Sequence, residues 1–226
     1  MQRNLIYILL IFTIFVSCDL KTADDYYSIA LDLEEKGEYG KAIPFLDKAI
    51  EKKPRFRPAL INRGADKAAI GDYNGAIQDY QRIIAFDPEN TMVLMNIGNN
   101  YKRLERYGKS IEFYTKALNT KGAIKPDSIY LVLNLPNEWD EESDYFVRKY
   151  QIEYERGISY SYVEKYDLAV KDLKQAIKYE YELPDALSWI GEAYYKLNDS
   201  INARKYLQKA SALGMLDAKE LLNELK

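Results

Sequence analysis

The side chains that most often perform catalysis are scarce in this sequence. It contains no histidine, which removes the commonest proton-transfer group near neutral pH and the commonest nitrogen ligand for zinc. Carboxylates remain, as the adjacent pairs Asp24-Asp25, Glu34-Glu35 and Glu141-Glu142. Neighbours on a helix point about 100° apart, so we expect these pairs to be solvated surface rather than acid–base couples. An enzyme would need an acid pair with a raised pKa in a closed pocket. We therefore predict no catalytic residue, no metal site and no cofactor.

Composition limits the remaining classes of function. The chain has 226 residues, of which 47% are hydrophobic and 30% charged, a balance typical of a globular protein. Its formal net charge of −3 gives no basic surface for a nucleic acid, so we predict no nucleic-acid partner. Gly-Lys occurs at 40–41 and 108–109, but without the glycine spacing of a phosphate-binding loop.

The first eighteen residues, MQRNLIYILLIFTIFVSC, have the layout of a secretory signal peptide. Their apolar run is shorter than the roughly 20 residues that a membrane-spanning helix needs. The stretch Phe15-Val16-Ser17-Cys18 resembles a bacterial lipoprotein lipobox, and Cys18 is the only cysteine of the chain. The resemblance implies that residues 1–17 are cleaved and that acyl chains on Cys18 hold the protein on a membrane through a tether at 18–22. An ordinary secretion signal is the alternative.

The chain repeats a pattern with a period of 34 residues. The segment GEYGKAIPFLDKAIEKKP is followed by GDYNGAIQDYQRIIAFDP, which places Ala42 and Ala76 34 positions apart. Small residues recur where two helices of a hairpin would cross closely, and large apolar residues recur beside them. The small residues of the first helix are Ala30, Gly64, Gly98, Gly157 and Gly191, and the large residues of the second are Leu46, Tyr80, Tyr114, Leu173 and Leu207.

These residues resemble the pattern of tetratricopeptide repeat (TPR) proteins. Five units begin near Ala23, Arg57, Thr91, Tyr150 and Pro184. The resemblance implies an all-α, right-handed α-solenoid of about five helical hairpins, with units 1–3 in residues 23–124 and units 4–5 in residues 150–215. Residues 216–226 are expected to form an amphipathic capping helix over the last unit.

An insert at 125–149 interrupts the period. Its segment 129–135 is apolar enough for a short helix or strand, and the pattern turns helical from Glu141 onward. We therefore predict that the first helix of unit 4 begins early. The insert either packs on the side of the solenoid or forms a partner site, since loops of this length are usually functional or structured.

Charged residues occupy several places where the repeat is normally apolar. They are Arg63, Lys67, Glu153 and Arg156. We expect the long basic side chains to lay their methylenes on apolar surface and keep their charges in water, with a binding site as the alternative.

In the TPR family, the first helix of each unit lines a concave groove. The resemblance carries this role over to the residues three before, one after and four after each small crossing residue. They are Tyr27, Leu31, Glu34, Ile61, Ala65, Ala68, Met95, Asn99, Lys102, Tyr154, Ile158, Ser161, Ser188, Glu192 and Tyr195. Aromatic residues beside polar groups are suited to binding a peptide or a partner helix.

Two functions remain open at this stage. The first is a non-catalytic scaffold of the bacterial cell envelope, lipid-anchored on the periplasmic face of a membrane, which we expect to be the outer membrane, that binds a protein or peptide partner in the groove. The second is a receptor for a small ligand or glycan, with stacking surfaces at Tyr154, Tyr162, Trp189 and Tyr195.

Overall fold

The computed structural model describes residues 20–124 and 146–225, and these residues are mostly helical. Within them lie eleven helices and a pair of two-residue strands: α1 Ala23–Glu34, α2 Tyr39–Lys52, α3 Arg57–Ala69, α4 Tyr73–Ile84, α5 Thr91–Arg103, α6 Tyr107–Leu118, β1 Ala123–Ile124, β2 Val147–Arg148, α7 Lys149–Tyr162, α8 Tyr166–Lys178, α9 Leu183–Lys196, α10 Ser200–Ala212 and α11 Leu216–Glu224. The predicted all-α solenoid of helical hairpins is confirmed. The signal peptide and Cys18 lie outside the described residues.

The helices stack in chain order. Each helix packs mainly on the helices before and after it, so α1–α2, α3–α4, α5–α6, α7–α8 and α9–α10 are hairpins that follow one another along an axis. The last helix, α11, packs on α10 and α9 and buries Ala218. Because contacts are local along the chain, stability is shared between neighbouring units rather than held in one central core.

The two helices of each hairpin cross at the small residues that the sequence pattern singled out. At Gly98, a Cβ atom would lie 2.6 Å from Cε1 of Tyr114, whose ring is fully buried. The Tyr114 hydroxyl also donates to Oδ1 of Asn99 at 2.7 Å, which fixes the ring in place. The crossing therefore has no room for a side chain at position 98.

We expect Gly98→Ala to lower the free energy of unfolding by about 1–3 kcal/mol, because the new methyl group overpacks the crossing. The matched control is Gly108→Ala in α6, where a Cβ would meet no atom within 4 Å. There alanine should raise stability by about 0.5–1 kcal/mol through its better helix propensity. Urea titration of both variants measures the difference, and equal effects would contradict the packing argument.

Each hairpin turns at a residue with a left-handed backbone. These residues occupy the same place in the five units and are Gly37 (φ 71°), Gly71 (φ 88°), Glu105 (φ 57°), Glu164 (φ 59°) and Asn198 (φ 59°). Glycine adopts this conformation without strain, whereas a Cβ makes it unfavourable by about 1 kcal/mol or more. Units three and four therefore carry a strain at their turns that units one and two avoid.

Glu105→Gly and Glu164→Gly are each expected to stabilise the fold by about 0.5–1 kcal/mol, the relief of strain less the greater entropy of an unfolded glycine. Glu112→Gly, on the exposed face of α6, is the control and should destabilise by about 1 kcal/mol. Thermal unfolding monitored by circular dichroism reports all three variants, and a destabilised Glu105→Gly would refute the strain.

The two ends of the insert are joined by a short parallel strand pair. Ala123 pairs with Val147 and Ile124 with Arg148, and the Val147 amide donates to the Gly122 carbonyl at 2.9 Å. Helix α7 begins at Lys149, directly after this pair, so the prediction that it begins early is wrong. The strand pairing takes up the backbone hydrogen bonds that an earlier helix would have used. The segment 129–135 lies outside the described residues.

The prediction that basic residues keep their charges in water is wrong for Arg63, Lys67 and Arg156. The Arg63 guanidinium donates to both carboxylate oxygens of Asp79, and the Lys67 ammonium lies 2.8 Å from Oδ2 of the same residue. The Arg156 guanidinium donates to Asp172 through Nε at 2.7 Å and Nη2 at 3.0 Å. The Asp79 and Asp172 side chains are only 3% and 6% exposed. These cations neutralise the two buried carboxylates, because a charge buried away from water is costly unless it is paired.

Glu153 is half-buried, and burial together with the charge of Asp172 raises the pKa of its carboxyl. Glu153 therefore lies beside the Arg156–Asp172 ion pair and not on open surface.

The ion pairs alternate with apolar pairs along the solenoid. In every unit the two positions are 16 residues apart, one on each helix of the hairpin. Units two and four hold Arg63–Asp79 and Arg156–Asp172, whereas units one, three and five hold Ile29 and Phe45, Ile97 and Phe113, and Ile190 and Tyr206. The same structural position thus holds an ion pair in two units and an apolar pair in the other three.

Candidate partner-binding groove

The odd-numbered helices form the inner layer of the solenoid. Among the described residues, α5 contacts α7, α7 contacts α9 and α9 contacts α11, whereas neighbouring even-numbered helices approach one another less. Side chains also bridge the odd-numbered helices, as between Asn62 and Glu34 at 2.8 Å and between Ser188 and Asp217 at 3.0 Å. The closer spacing makes this the concave side, which we call the groove.

The predicted groove residues differ in how much of them a partner could reach. Tyr27, Tyr154, Ile158 and Ser188 are buried and can only form the floor beneath other side chains. Ala65 is exposed, and the others are half-buried: Leu31, Glu34, Ile61, Ala68, Met95, Asn99, Lys102, Ser161, Glu192 and Tyr195. Four of the seven half-buried residues of the first three units are apolar, Leu31, Ile61, Ala68 and Met95, so the N-terminal half of the groove offers apolar contact beside polar groups.

A carboxylate pair bridges α1 and α3 at the N-terminal end of the groove. Burial raises the pKa of Glu34, and burial together with the charge of Glu34 raises the pKa of Asp66 to about 7. Oε1 of Glu34 and Oδ2 of Asp66 are buried without a hydrogen-bond partner among the described residues. A proton on Asp66, donated to Glu34, satisfies both groups, so the pair is stable when it holds one proton.

This pair has the raised pKa that we named as a sign of catalysis, but its geometry does not suit a reaction. Asp66 is only 3% exposed, and the two unpaired oxygens are inaccessible to solvent. A substrate cannot reach either oxygen unless α1 and α3 separate. Sequence analysis missed Asp66. Asp66 could have been found from its position in the repeat, where the equivalent residues of units three, four and five are Asn100, Ser159 and Ala193.

The centre of the groove uses its predicted polar residues in internal contacts. The Lys102 ammonium forms an ion pair with Glu155 across α5 and α7, and both side chains are about one-fifth exposed, 21% and 19%. Asn99 accepts a hydrogen bond from the Tyr114 hydroxyl. Both residues therefore tie the solenoid together as well as lining the groove.

A cavity of about 370 Å³ lies at the C-terminal end of the groove, between α9 and α11. We call it the C-terminal cavity. Its lining brings together three predicted groove residues, Ser188, Glu192 and Tyr195, with five residues that sequence analysis did not assign to the groove: Lys196, Asp217, Glu220, Leu221 and Glu224. Four of these come from α11, the predicted capping helix, which therefore also lines the groove.

The four aromatic residues of the ligand-receptor alternative do not share one surface. Tyr162 packs on Trp189 with ring centroids 5.5 Å apart, and also stacks on Tyr107 at 4.3 Å with the planes 4° apart. Tyr154 instead packs edge-on against Tyr181, and Tyr195 lines the C-terminal cavity. Only Tyr162 and Trp189 of the predicted set contact each other.

The described part of the chain holds no group of three or more acidic, histidine or cysteine side chains that could bind a metal ion. In the same ranges, 20–124 and 146–225, no helix combines the length and the hydropathy needed to cross a bilayer.

Family comparisons agree with the hairpin architecture. Two sequence families, both described as tetratricopeptide repeat, match residues 93–123 and 154–218. The chain is also 26% identical to human Tetratricopeptide repeat protein 6 over 123 residues, which are 54% of this chain and 23% of that protein. It thus spans less than a quarter of the length of this relative. An uncharacterised protein of Methanocaldococcus jannaschii is 30% identical over 73 residues, 32% of this chain and 85% of its own length.

Solved structures of similar fold share little sequence with this chain. MamA superposes with a TM-score of 0.67 at 19% identity, covering 88% of this chain and 92% of its own. YrrB, a TPR protein with an unusual peptide-binding site, gives 0.68 at 18% identity, covering 88% and 91%. PilW, a widely conserved type IV pilus biogenesis factor, gives 0.61 at 17% identity, covering 84% and 76%. At such identities the likeness shows the fold alone.

Proposed function

Because the chain is a solenoid of tetratricopeptide repeats, we propose that it is a non-catalytic scaffold of the bacterial cell envelope that binds a protein or peptide partner in its groove. The observation that carries this proposal is the inner face of odd-numbered helices, which exposes Ala65 and half-exposes Met95 and Tyr195. A surface that combines apolar, aromatic and polar groups over several repeats suits an extended segment or a helix.

The envelope part of the proposal rests on the N-terminal sequence. A signal-peptide layout that ends at the single cysteine of the chain supports lipid attachment at Cys18. Each buried CH₂ of an acyl chain contributes about 0.8 kcal/mol, so more than one chain gives stable anchoring.

Groove binding is tested by crosslinking in cells that make the full chain. A photoreactive residue replaces Ala65 or Tyr195 in the groove, and a control replaces Glu112, which is exposed on α6. We expect one dominant protein adduct from both groove positions and none from the control. If neither groove position forms a protein adduct, or if the control forms the same one, the scaffold proposal fails.

The anchor is tested separately. Cys18→Ser should abolish incorporation of a labelled fatty acid. Because the change lies outside residues 23–225, the circular dichroism spectrum of the serine variant should stay helical. Unchanged fatty-acid labelling of the serine variant would disprove lipidation at Cys18.

A further inference from the structure

The lining of the C-terminal cavity is strongly acidic. Four carboxylates, those of Glu192, Asp217, Glu220 and Glu224, surround about 370 Å³, and Lys196 is the one cation among the lining residues. Lys196 directs its ammonium toward the ring of Tyr195, 6.0 Å from the ring centroid. Its charge therefore does not directly neutralise the carboxylates.

These carboxylates have no cationic partner in the described part of the chain. Across residues 20–124 and 146–225, no lysine or arginine forms an ion pair within 4.0 Å with any of the four. Asp217 accepts the Ser188 hydroxyl at 3.0 Å, and Glu224 meets the Tyr195 hydroxyl at 3.5 Å. Asp79 and Asp172, which are buried inside hairpins, are by contrast matched by Arg63 and Arg156.

The cavity is continuous with the groove. Ser188, Glu192 and Tyr195 are the groove residues of the last unit, and they follow the groove residues of the earlier units along the same inner face. A segment that lies along the groove therefore passes from apolar contacts such as Leu31, Ile61 and Met95, across the polar centre at Asn99 and Lys102, to a concave acidic site.

We infer that the segment bound in the groove carries apolar side chains where it meets the first three units and lysine or arginine where it meets the C-terminal cavity. This inference rests on the proposed scaffold function and names the chemistry of its partner. A cavity of this volume is at the lower end of the range for small-molecule sites, which suits one or two long side chains. The carboxylates attract an ammonium or guanidinium group, and the Tyr195 ring can stack on it.

The acidic lining of the cavity also predicts which segments the groove does not bind. An acidic segment would bring like charges together in a concave site, where their repulsion is strongest. The groove should therefore discriminate between segments that differ only in the sign of their charges.

The inference is tested by mapping the adduct formed at the cavity. A photoreactive residue replaces Lys196, which is exposed at the rim, in the full chain in cells, and mass spectrometry locates the crosslinked residues of the partner. We expect lysine or arginine within a few residues of the crosslink. The variant Glu192→Gln/Glu220→Gln should reduce the adduct about tenfold, whereas Glu89→Gln/Glu112→Gln, exposed outside the cavity, should leave it unchanged.

Purified protein gives an independent measurement with defined probes. Three peptides of equal length and equal leucine content carry lysine, glutamine or glutamate at the same end. The lysine peptide should bind about tenfold more tightly than the glutamine peptide, and the glutamate peptide more weakly than either. Raising salt from about 0.1 M to about 1 M shortens the Debye length from about 10 Å to about 3 Å and should remove most of this difference.

The outcomes separate the inference from the function on which it rests. Crosslinks to an acidic or uncharged segment, or a lysine peptide that binds no better than the glutamate peptide, overturn the inference and leave the scaffold proposal standing. A failure to form protein adducts at Ala65, Tyr195 and Lys196 alike overturns both. If the crosslinks at Lys196 fall on basic segments and are lost in Glu192→Gln/Glu220→Gln, the inference and the scaffold function are both established.

Discussion

Arg156→Ile alone should destabilise the protein by about 3–5 kcal/mol, whereas the double variant Arg156→Ile/Asp172→Phe should be close to wild type or more stable. The single change leaves the Asp172 carboxylate, 6% exposed, without the guanidinium that now donates two hydrogen bonds to it. The double change installs the isoleucine and phenylalanine that occupy the equivalent positions of unit three, Ile97 and Phe113.

A double-mutant cycle measured by urea titration gives the coupling energy directly. It compares wild type, Arg156→Ile, Asp172→Phe and the double variant, and we expect a coupling above about 2 kcal/mol. The Thr115 hydroxyl also loses the Nη1 donor of Arg156, at 3.1 Å, in both arginine variants, so this effect cancels in the cycle. Additive single effects would show that the pair is not a unit.

The alternation of ionic and apolar pairs distinguishes the correct pairing of two helices in a hairpin from an incorrect one. Each pair joins the two helices of one hairpin, so pairing the first helix of unit four with the second helix of unit three would place Arg156 against Phe113. Such a mismatch leaves a charge buried without a partner, which is costly. We expect the apolar double variant, although stable, to refold with more misassembled or aggregated product than wild type, a result that light scattering during refolding would detect.

The second large effect is a dependence of stability on pH, caused by the Glu34–Asp66 pair. In the unfolded chain Asp66 loses its proton near pH 3.9, whereas in the folded protein it holds the proton up to about pH 7. Between these values the folded state binds more protons than the unfolded state, so stability falls as the pH rises. Above pH 7 both states are deprotonated, and the full electrostatic repulsion is present.

Asp66→Asn is expected to remove the part of this dependence that comes from Asp66, because the amide can still donate a hydrogen bond to Glu34 but cannot ionise. At pH 8 the variant should be more stable than wild type by about 1–3 kcal/mol, and at pH 4 the two should be nearly equal. Urea titrations at pH 4, 6 and 8 measure the difference. The exposed neighbour Asp32 supplies the control, since Asp32→Asn should change stability by less than about 0.5 kcal/mol at every pH. Parallel curves for wild type and Asp66→Asn would disprove the shared proton.

Titratable and charged groups around the pair support this assignment. Glu34 faces Asp66 from α1, and Asn62 of α3 donates to Glu34 at 2.8 Å. From α4, the Tyr80 hydroxyl lies in the field of Asp66 and Asp79, and burial with these charges raises its pKa. The ion pairs among the described residues place no cation within 4.0 Å of Glu34 or Asp66, so the proton is the available positive charge.

The sequence by itself determined the architecture of this protein. A helical hairpin needs a small residue at its crossing and a large one opposite, and these steric demands recur at fixed spacing. The spacing therefore gave the number of hairpins, their order and residues such as Gly98 and Tyr114 that meet at a crossing. The groove positions on the first helices came from the resemblance to the TPR family and remain a prediction.

Only the tertiary structure decided how polar groups are matched. Arg63 and Asp79 come from different helices, and each alone resembles a surface residue in a local pattern. Comparison between units could have revealed them, because both positions change from apolar to charged together. Asp66 and Glu34 meet across two units, and α11 closes the C-terminal cavity through residues outside the repeat. Such contacts depend on the angle at which the hairpins stack, and the free energy of a charge depends on its neighbours in space rather than along the chain.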